Sequence, residues 1–235
     1  MLALAVDTAT PAVTAGLVEL EQAAVGANTS DAVRPRTLAA RVVVDARAHA
    51  EALTPLILEC LSEAGVSRAD IAVVVTGIGP GPFTGLRVGM ATAAAFGDAL
   101  GIPVHGVCSL DAIAADCAPE LGPDDELLVV TDARRREVYA ARYRDHGLRR
   151  VTGPEVSKPG DLSAAGASTI AGSAAHTALF ALPALSVQTP TPAGLVRVAA
   201  PALLSGVSPE PLVPLYLRRP DAVERSYRTL DRMGA

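Results

Sequence analysis

The stretch Ile71-Ala72-Val73-Val74-Val75, followed after Thr76 by Gly77-Ile78-Gly79-Pro80-Gly81-Pro82-Phe83-Thr84-Gly85, decides how the chain is read. The first part is a short apolar, β-branched run and predicts a buried strand. The second is a glycine- and proline-rich turn that opens a helix expected over residues 84–100, with Thr84 as its N-cap. Gly101-Ile102-Pro103 stops that helix, and Val104 to Val107 predicts another strand. Within the helix, Gly85, Gly89, Ala93 and Gly97 recur at every fourth position. One face is therefore nearly bare backbone, which a neighbouring helix or strand can approach closely. A strand, a tight turn, a helix and a strand in succession point to an α/β protein.

Upstream of this stretch, Leu2 to Val6 predicts a buried strand that ends at Asp7, and Val13 to Leu20 a second. Pro11 lies between them, so the two form a hairpin with Asp7-Thr8-Ala9-Thr10 at its tip. Residues 21–37 are polar and read as a loop, and 38–44 as a third strand. Residues 47–64 carry Leu53, Leu56, Ile57, Cys60 and Leu61, the i, i+3, i+4, i+7, i+8 stripe of an amphipathic helix, with Gly65 at its C-cap. The stretch 118–125 reads as a boundary, after which the pattern restarts. Leu127 to Thr131 stops at Asp132, Glu137 to Tyr143 alternates, and residues 148–152 suit a further strand. Helix and strand signals then alternate through Ile170, Leu185 and Val198 to Leu204. The same plan, three strands followed by alternating helices and strands, thus occurs twice. It predicts two related domains, residues 1–108 and 109–218, and a polar tail over 219–235.

Composition narrows the function. With 235 residues, half of them hydrophobic but only 3% aromatic, the core is built from Ala, Val and Leu, which suits helices packed on sheets. A net charge of −5 argues against a stand-alone nucleic-acid binder. Cys60, Cys108 and Cys117 are too few and too scattered for a disulfide framework or a structural zinc site. Neither a signal peptide nor an apolar run of the ~18 residues of a membrane span is expected, and the chain is expected to be cytoplasmic.

Individual motifs keep two readings each. The carboxylate and hydroxyls of Asp7, Thr8 and Thr10 suit a metal–phosphate group, and equally a turn whose side-chain oxygens bond nearby backbone N–H groups. Gly79 and Gly81, ahead of Thr84, offer backbone N–H groups to an anion, or simply allow close packing. The loop is neither a Walker A motif nor a dinucleotide fingerprint, since Lys158 is the only lysine and precedes Pro159. His49 has Leu53 where a zincin needs its second His, and His105, His146 and His176 have no His at i+3 or i+4, so no metal site is expected. Ser109 reads as an N-cap, and Ser173 lacks the flanks of a nucleophile elbow. Arg134-Arg135-Arg136 suits a charged turn or a phosphate contact.

Five segments carry a family resemblance. They are Leu4 to Thr10, His49 to Leu58, Gly79-Pro80-Gly81-Pro82-Phe83-Thr84-Gly85-Leu86-Arg87-Val88-Gly89, Asp132-Ala133-Arg134 with Glu137-Val138-Tyr139, and Pro214 to Arg218. Together they resemble TsaB, a subunit of the bacterial system that makes threonylcarbamoyladenosine on tRNA. The third segment is the most specific, and Pro82 departs from the family's usual Ser. The resemblance implies two actin-like (ASKHA) domains and kinship to TsaD, the transferase. TsaD has a His-x-x-x-His metal pair where this chain has Ser109 and Ile113. Ile cannot ligate a metal. A non-catalytic paralogue is therefore implied, with no catalytic residues, no metal and no tightly bound cofactor.

The implied role is a scaffold that binds and activates TsaD, with TsaE as a third component. ATP and Mg serve the complex, tRNA is met mainly through it, and homodimers form when TsaD is absent. The product is the modified adenosine beside the anticodon in tRNAs reading codons that begin with A. The partner interface is expected on the helices at 47–64 and 84–100, through His49, Leu53, Leu56, Ile57, Gly85, Arg87, Val88, Gly89 and Ala93. Leu53→Glu or Gly89→Leu is accordingly expected to abolish binding and leave the fold intact. A vestigial nucleotide or phosphate site is expected at Asp7, Thr8, Thr10, Gly79, Gly81 and Thr84. The competing readings are a nucleotide-dependent enzyme of the actin-like and sugar-kinase class, and a protease acting on its partner.

Overall fold

Along the first strand Leu4 and Val6 turn to one side and Ala3 and Ala5 to the other, and each pair lies in a different buried cluster. Such two-sided burial requires a sheet covered on both faces. The computed structural model describes residues 1–22, 33–45 and 48–218 and shows that arrangement. The first sheet has the order β3-β2-β1-β4-β5, from β1 (Leu2–Asp7), β2 (Ala12–Gln22), β3 (Val33–Val44), β4 (Val73–Gly77) and β5 (Val104–Val107). β1, β2 and β3 are antiparallel neighbours, whereas β4 joins β1, and β5 joins β4, in parallel. Of the expected loop at 21–37, residues 21–22 belong instead to β2 and 33–37 to β3, and 23–32 lie outside the described residues.

Helices α1 (His49–Ala64) and α2 (Phe83–Leu100) cover the face that carries Leu4, Val6 and Val74. The stripe Leu53, Leu56, Ile57, Cys60 and Leu61 is the buried face of α1, and Gly65 closes that helix in the left-handed conformation (φ 64°). α2 starts one residue before its expected start. Pro82 holds the N-cap position, and Thr84 is an exposed residue of the first turn.

The second sheet, β8-β7-β6-β9, comprises β6 (Leu127–Asp132), β7 (Val138–Arg144), β8 (Arg149–Ser157) and β9 (Thr169–Gly172). It repeats the first: an antiparallel meander, then a parallel strand beside its first member. Asp7 and Asp132 end the equivalent strands β1 and β6. α3 (Ser109–Asp116) joins the two halves. Its Leu110, Ala112, Ile113, Ala114 and Ala115 are all buried, as in a helix packed on every side. α4 (Ala174–Thr177) is a single turn after β9.

α5 (Pro192–Ser205) changes the domain picture. Its Leu195, Val196, Ala199 and Ala200 pack on Ala3, Ala5, Val18, Val73 and Val75, on the face of the first sheet opposite α1 and α2. Asp116 ties it to α3, accepting from Thr191 N (2.9 Å) and Thr191 Oγ1 (2.7 Å). A boundary near residue 108 separates the two sheets, but the helix at 192–205 packs on the first. No helix of the described residues is long and apolar enough to cross a membrane.

Candidate functional site

The tip of the β1–β2 hairpin is filled by the protein's own groups. Asp7 is fully buried. Its Oδ1 accepts from Ala9 N at 2.9 Å, and its Oδ2 from the Ser109 hydroxyl at 2.5 Å. Burial pushes the Asp7 carboxyl up from 3.8 to about 6, against the opposing pull of the Ser109 and Ala9 hydrogen bonds and of His49. Thr8 Oγ1 donates to Gly85 O (2.7 Å) and accepts from Gly89 N (2.9 Å), which fastens α2 to the tip. Thr10 Oγ1 accepts from Ala12 N, and Thr10 O lies 2.9 Å from His49 Nε2. Of the two readings of this tip, the geometry is that of the hydrogen-bonded turn.

The glycine-rich loop packs directly on that tip. A Cβ on Gly77 would overlap Asp7 Oδ2, one on Gly81 would overlap Ala9 O, and one on Gly89 would overlap Thr8 Oγ1. Gly79 takes φ +100°, which an L side chain rarely adopts, and its carbonyl accepts from Ser109 N at 2.8 Å. Gly79 and Gly81 are buried, so the close-packing reading holds for both. Among the six residues of the expected phosphate site, Thr84 alone is exposed.

Ser109 is the first residue of α3 rather than its N-cap, a place taken by Cys108. Its bond to Asp7 spans 102 residues, beyond the reach of any local pattern. Ile113, at the other position matched to the metal pair, is fully buried in the second core.

The expected partner interface divides into core and surface. Leu53, Leu56 and Ile57 pack against the first sheet and cannot meet a partner. Gly85, Gly89 and Ala93 are buried too, with Gly85 and Gly89 pressed onto Thr8. The bare face of α2 therefore serves close packing within the chain. Leu53→Glu and Gly89→Leu would break the fold, contrary to expectation, since one buries a charge and the other collides with Thr8. Arg87 remains exposed, and His49 and Val88 are half-buried. The outward face of α1 is instead Glu51, Thr54, Pro55 and Leu58, and that of α2 includes Ala91, Ala94, Ala95 and Asp98. Leu58 is 51% exposed.

Three matched segments converge beside the start of α2. Phe83 stacks on Tyr216 with centroids 5.1 Å apart, and the Arg87 guanidinium lies 3.8 Å over the Phe83 ring. Arg87 Nε donates to the Tyr216 hydroxyl at 2.7 Å. Leu215 N bonds Ile78 O at 2.8 Å, while Arg218 pairs with Glu137 at 3.1 Å and donates to Ala133 O. The segment at 214–218 thus straps the glycine-rich loop to the β6–β7 turn. In that turn Arg134, Arg135 and Arg136 all take positive φ, and Arg134 pairs with Asp132 at 3.1 Å. Arg134 also borders a small groove of about 160 Å³ with Thr10, His49, Thr84 and Val88.

Ser173, His176 and Asp132, which local sequence did not connect, come close together. Ser173 Oγ lies 2.9 Å from His176 Nδ1, a local contact across the start of α4. His176 Nε2 is 3.7 Å from Asp132 Oδ1, too long for the hydrogen bond that would orient a catalytic imidazole. Asp132 Oδ1 already accepts from Arg134 N at 2.7 Å.

Comparison with known proteins places this geometry. A family model described as "TsaD: tRNA N6-adenosine threonylcarbamoyltransferase" matches residues 43–207. The chain is 56% identical over 221 residues to an uncharacterized protein of Mycobacterium leprae, covering 94% of this chain and 56% of that one. It is 54% identical over 219 residues to one of Mycobacterium tuberculosis, covering 93% and 92%. The tRNA threonylcarbamoyladenosine biosynthesis protein TsaB of Escherichia coli is 34% identical over 98 residues, 42% of each chain. Among solved structures, YeaZ from Pseudomonas aeruginosa superposes with a TM-score of 0.73 at 26% identity, over 92% of this chain and 99% of that one. The expected α/β fold of two related actin-like halves is the one observed. The chain belongs to the family of that model, and within it is a TsaB-like protein.

Proposed function

We propose that this chain is a non-catalytic subunit of the system that forms N6-threonylcarbamoyladenosine in tRNA, and that it binds and activates a TsaD-type transferase. The observation that carries the reading is the filled hairpin tip. Asp7, which would face metal and phosphate in a nucleotide-using relative, is buried against Gly77 and spent on Ser109 and Ala9. Similarity to the E. coli protein supports the pathway, and the outward faces of α1 and α2 support the mode of binding. These two helices pack on the same face of the first sheet and expose Leu58 on α1 and the small residues Ala91, Ala94 and Ala95 on α2. Small side chains let a second pair of helices approach closely.

On this reading the partner's helices dock there, and a second copy of the chain takes their place when the partner is absent. A TsaE-type ATPase, with ATP and Mg, acts on the assembled complex. Most tRNA phosphate contacts come from the other subunits, given the net charge of −5. The complex works in the cytoplasm, on the adenosine beside the anticodon of tRNAs reading codons that begin with A.

The test is co-elution with the transferase from the same source. Leu58→Glu places a charge on the outward face and is expected to weaken binding by about tenfold or more while leaving the circular dichroism spectrum unchanged. Undiminished binding by a folded Leu58→Glu variant would sink the α1/α2 interface.

A further inference from the structure

On the side of the first sheet away from α1 and α2, a cleft of about 340 Å³ opens between β5, α5 and β8. That size falls in the range of small-molecule sites. Its wall is largely apolar: Ile78, Val198, Ala199, Ala202 and Leu215. His105 lines it at 8% exposure, and its ring makes no hydrogen bond within the described residues. Burial pulls the His105 pKa down, so at neutral pH the ring offers one donor and one acceptor.

Arg150 and Asp111 line the same cleft. Arg150 Nη1 donates to both Asp111 oxygens, at 2.9 and 3.2 Å, and Asp111 Oδ1 accepts from the Tyr143 hydroxyl at 2.8 Å. The Asp111 carboxylate is therefore well supplied with donors. Arg150 keeps Nε and Nη2 without an acceptor within the described residues.

We propose that this cleft binds a small organic carboxylate, with its apolar body against α5 and its carboxylate between Arg150 and His105. A purely apolar ligand would cover the unbonded His105 ring and the unused Nε and Nη2 donors of Arg150, at a cost in free energy. A fully polar one would leave the α5 wall unmatched. A short-chain carboxylate satisfies both ends, because a guanidinium with free donors is a natural carboxylate partner. Occupancy leaves the outward faces of α1 and α2 clear, so this site is independent of the proposed subunit role.

The probe is hexanoate, compared with hexan-1-ol, followed by NMR of the full chain with labelled histidines. Hexanoate is expected to shift the His105 ring signals saturably and to raise that residue's pKa, with hexan-1-ol about tenfold weaker or worse. Arg150→Met is expected to weaken hexanoate about tenfold. Ala202→Phe, or Ala202→Met if the larger ring unfolds the chain, is expected to block it by filling the cleft. Absence of a saturable shift at about 10 mM hexanoate would overturn the proposal. Equal binding of hexan-1-ol and indifference to Arg150→Met would overturn it too, leaving an apolar crevice only.

Discussion

Asp7→Asn tests the reading of the hairpin tip through stability alone. The carboxyl is fully buried, and burial holds its pKa at about 6, against 3.8 for the free group. A folded-state pKa above the unfolded value means that the native chain binds the proton more tightly. Stability from this group is then fully present below about pH 4 and is lost as pH rises through about 6. A shift of about 2 units, at about 1.4 kcal/mol each, sets the loss at about 3 kcal/mol between those limits. Asn keeps an acceptor for Ala9 N and cannot ionise, and the Ser109 hydroxyl can turn to accept from its amide. The gap between variant and wild type should therefore move by about 2–3 kcal/mol in favour of Asn between pH 3.5 and 7. Urea unfolding at four pH values measures this, and referencing each pH to the lowest cancels the intrinsic difference between Asn and protonated Asp. A flat gap, or one moving against Asn, would refute the reasoning and indicate a carboxylate stabilised in its ionised form.

Ser109→Ala removes a donor that favours the ionised Asp7, so the pKa should rise above about 6, read by carboxyl carbon NMR, and stability at pH 7 should fall by about 1.5–3 kcal/mol. Leu53→Ala empties a core position at 1% exposure and should cost about 3 kcal/mol by denaturant unfolding, whereas Leu58→Glu, at 51%, should cost little. Gly81→Ala drives a methyl into the Ala9 carbonyl and should lower stability by about 2 kcal/mol or more, measured the same way.

The local elements were readable because their signals are local. The α1 stripe shows the helical period, Gly65 stands at its C-cap, and β1 ends at an aspartate, while the strand expected at 71–75 is displaced two residues, to Val73–Gly77, where it runs into the glycine turn. The doubled plan was legible for the same reason. What each face meets was not. Leu53, Leu56 and Ile57 are apolar whether they cover a sheet or a partner, and the first sheet claims them. The small-residue face of α2 did announce close approach, but the neighbours are Thr8 and Val104 of the same chain. Ser109 at Asp7 and α5 on the first sheet join residues about a hundred or more apart, and no window of sequence carries that information. The strap at 214–218 showed only as a family-like segment, and its stack on Phe83 and Arg87 emerged with the fold.

The most direct test of the proposed role is reconstitution with one component left out. Unmodified tRNA, threonylcarbamoyl-adenylate, ATP with Mg, and the TsaD- and TsaE-type proteins of the same source are incubated with and without this chain. Modified adenosine is then measured by mass spectrometry of the digested tRNA. The account predicts product only when the chain is present, and much less when Leu58→Glu replaces it. Equal product without the chain would contradict the account.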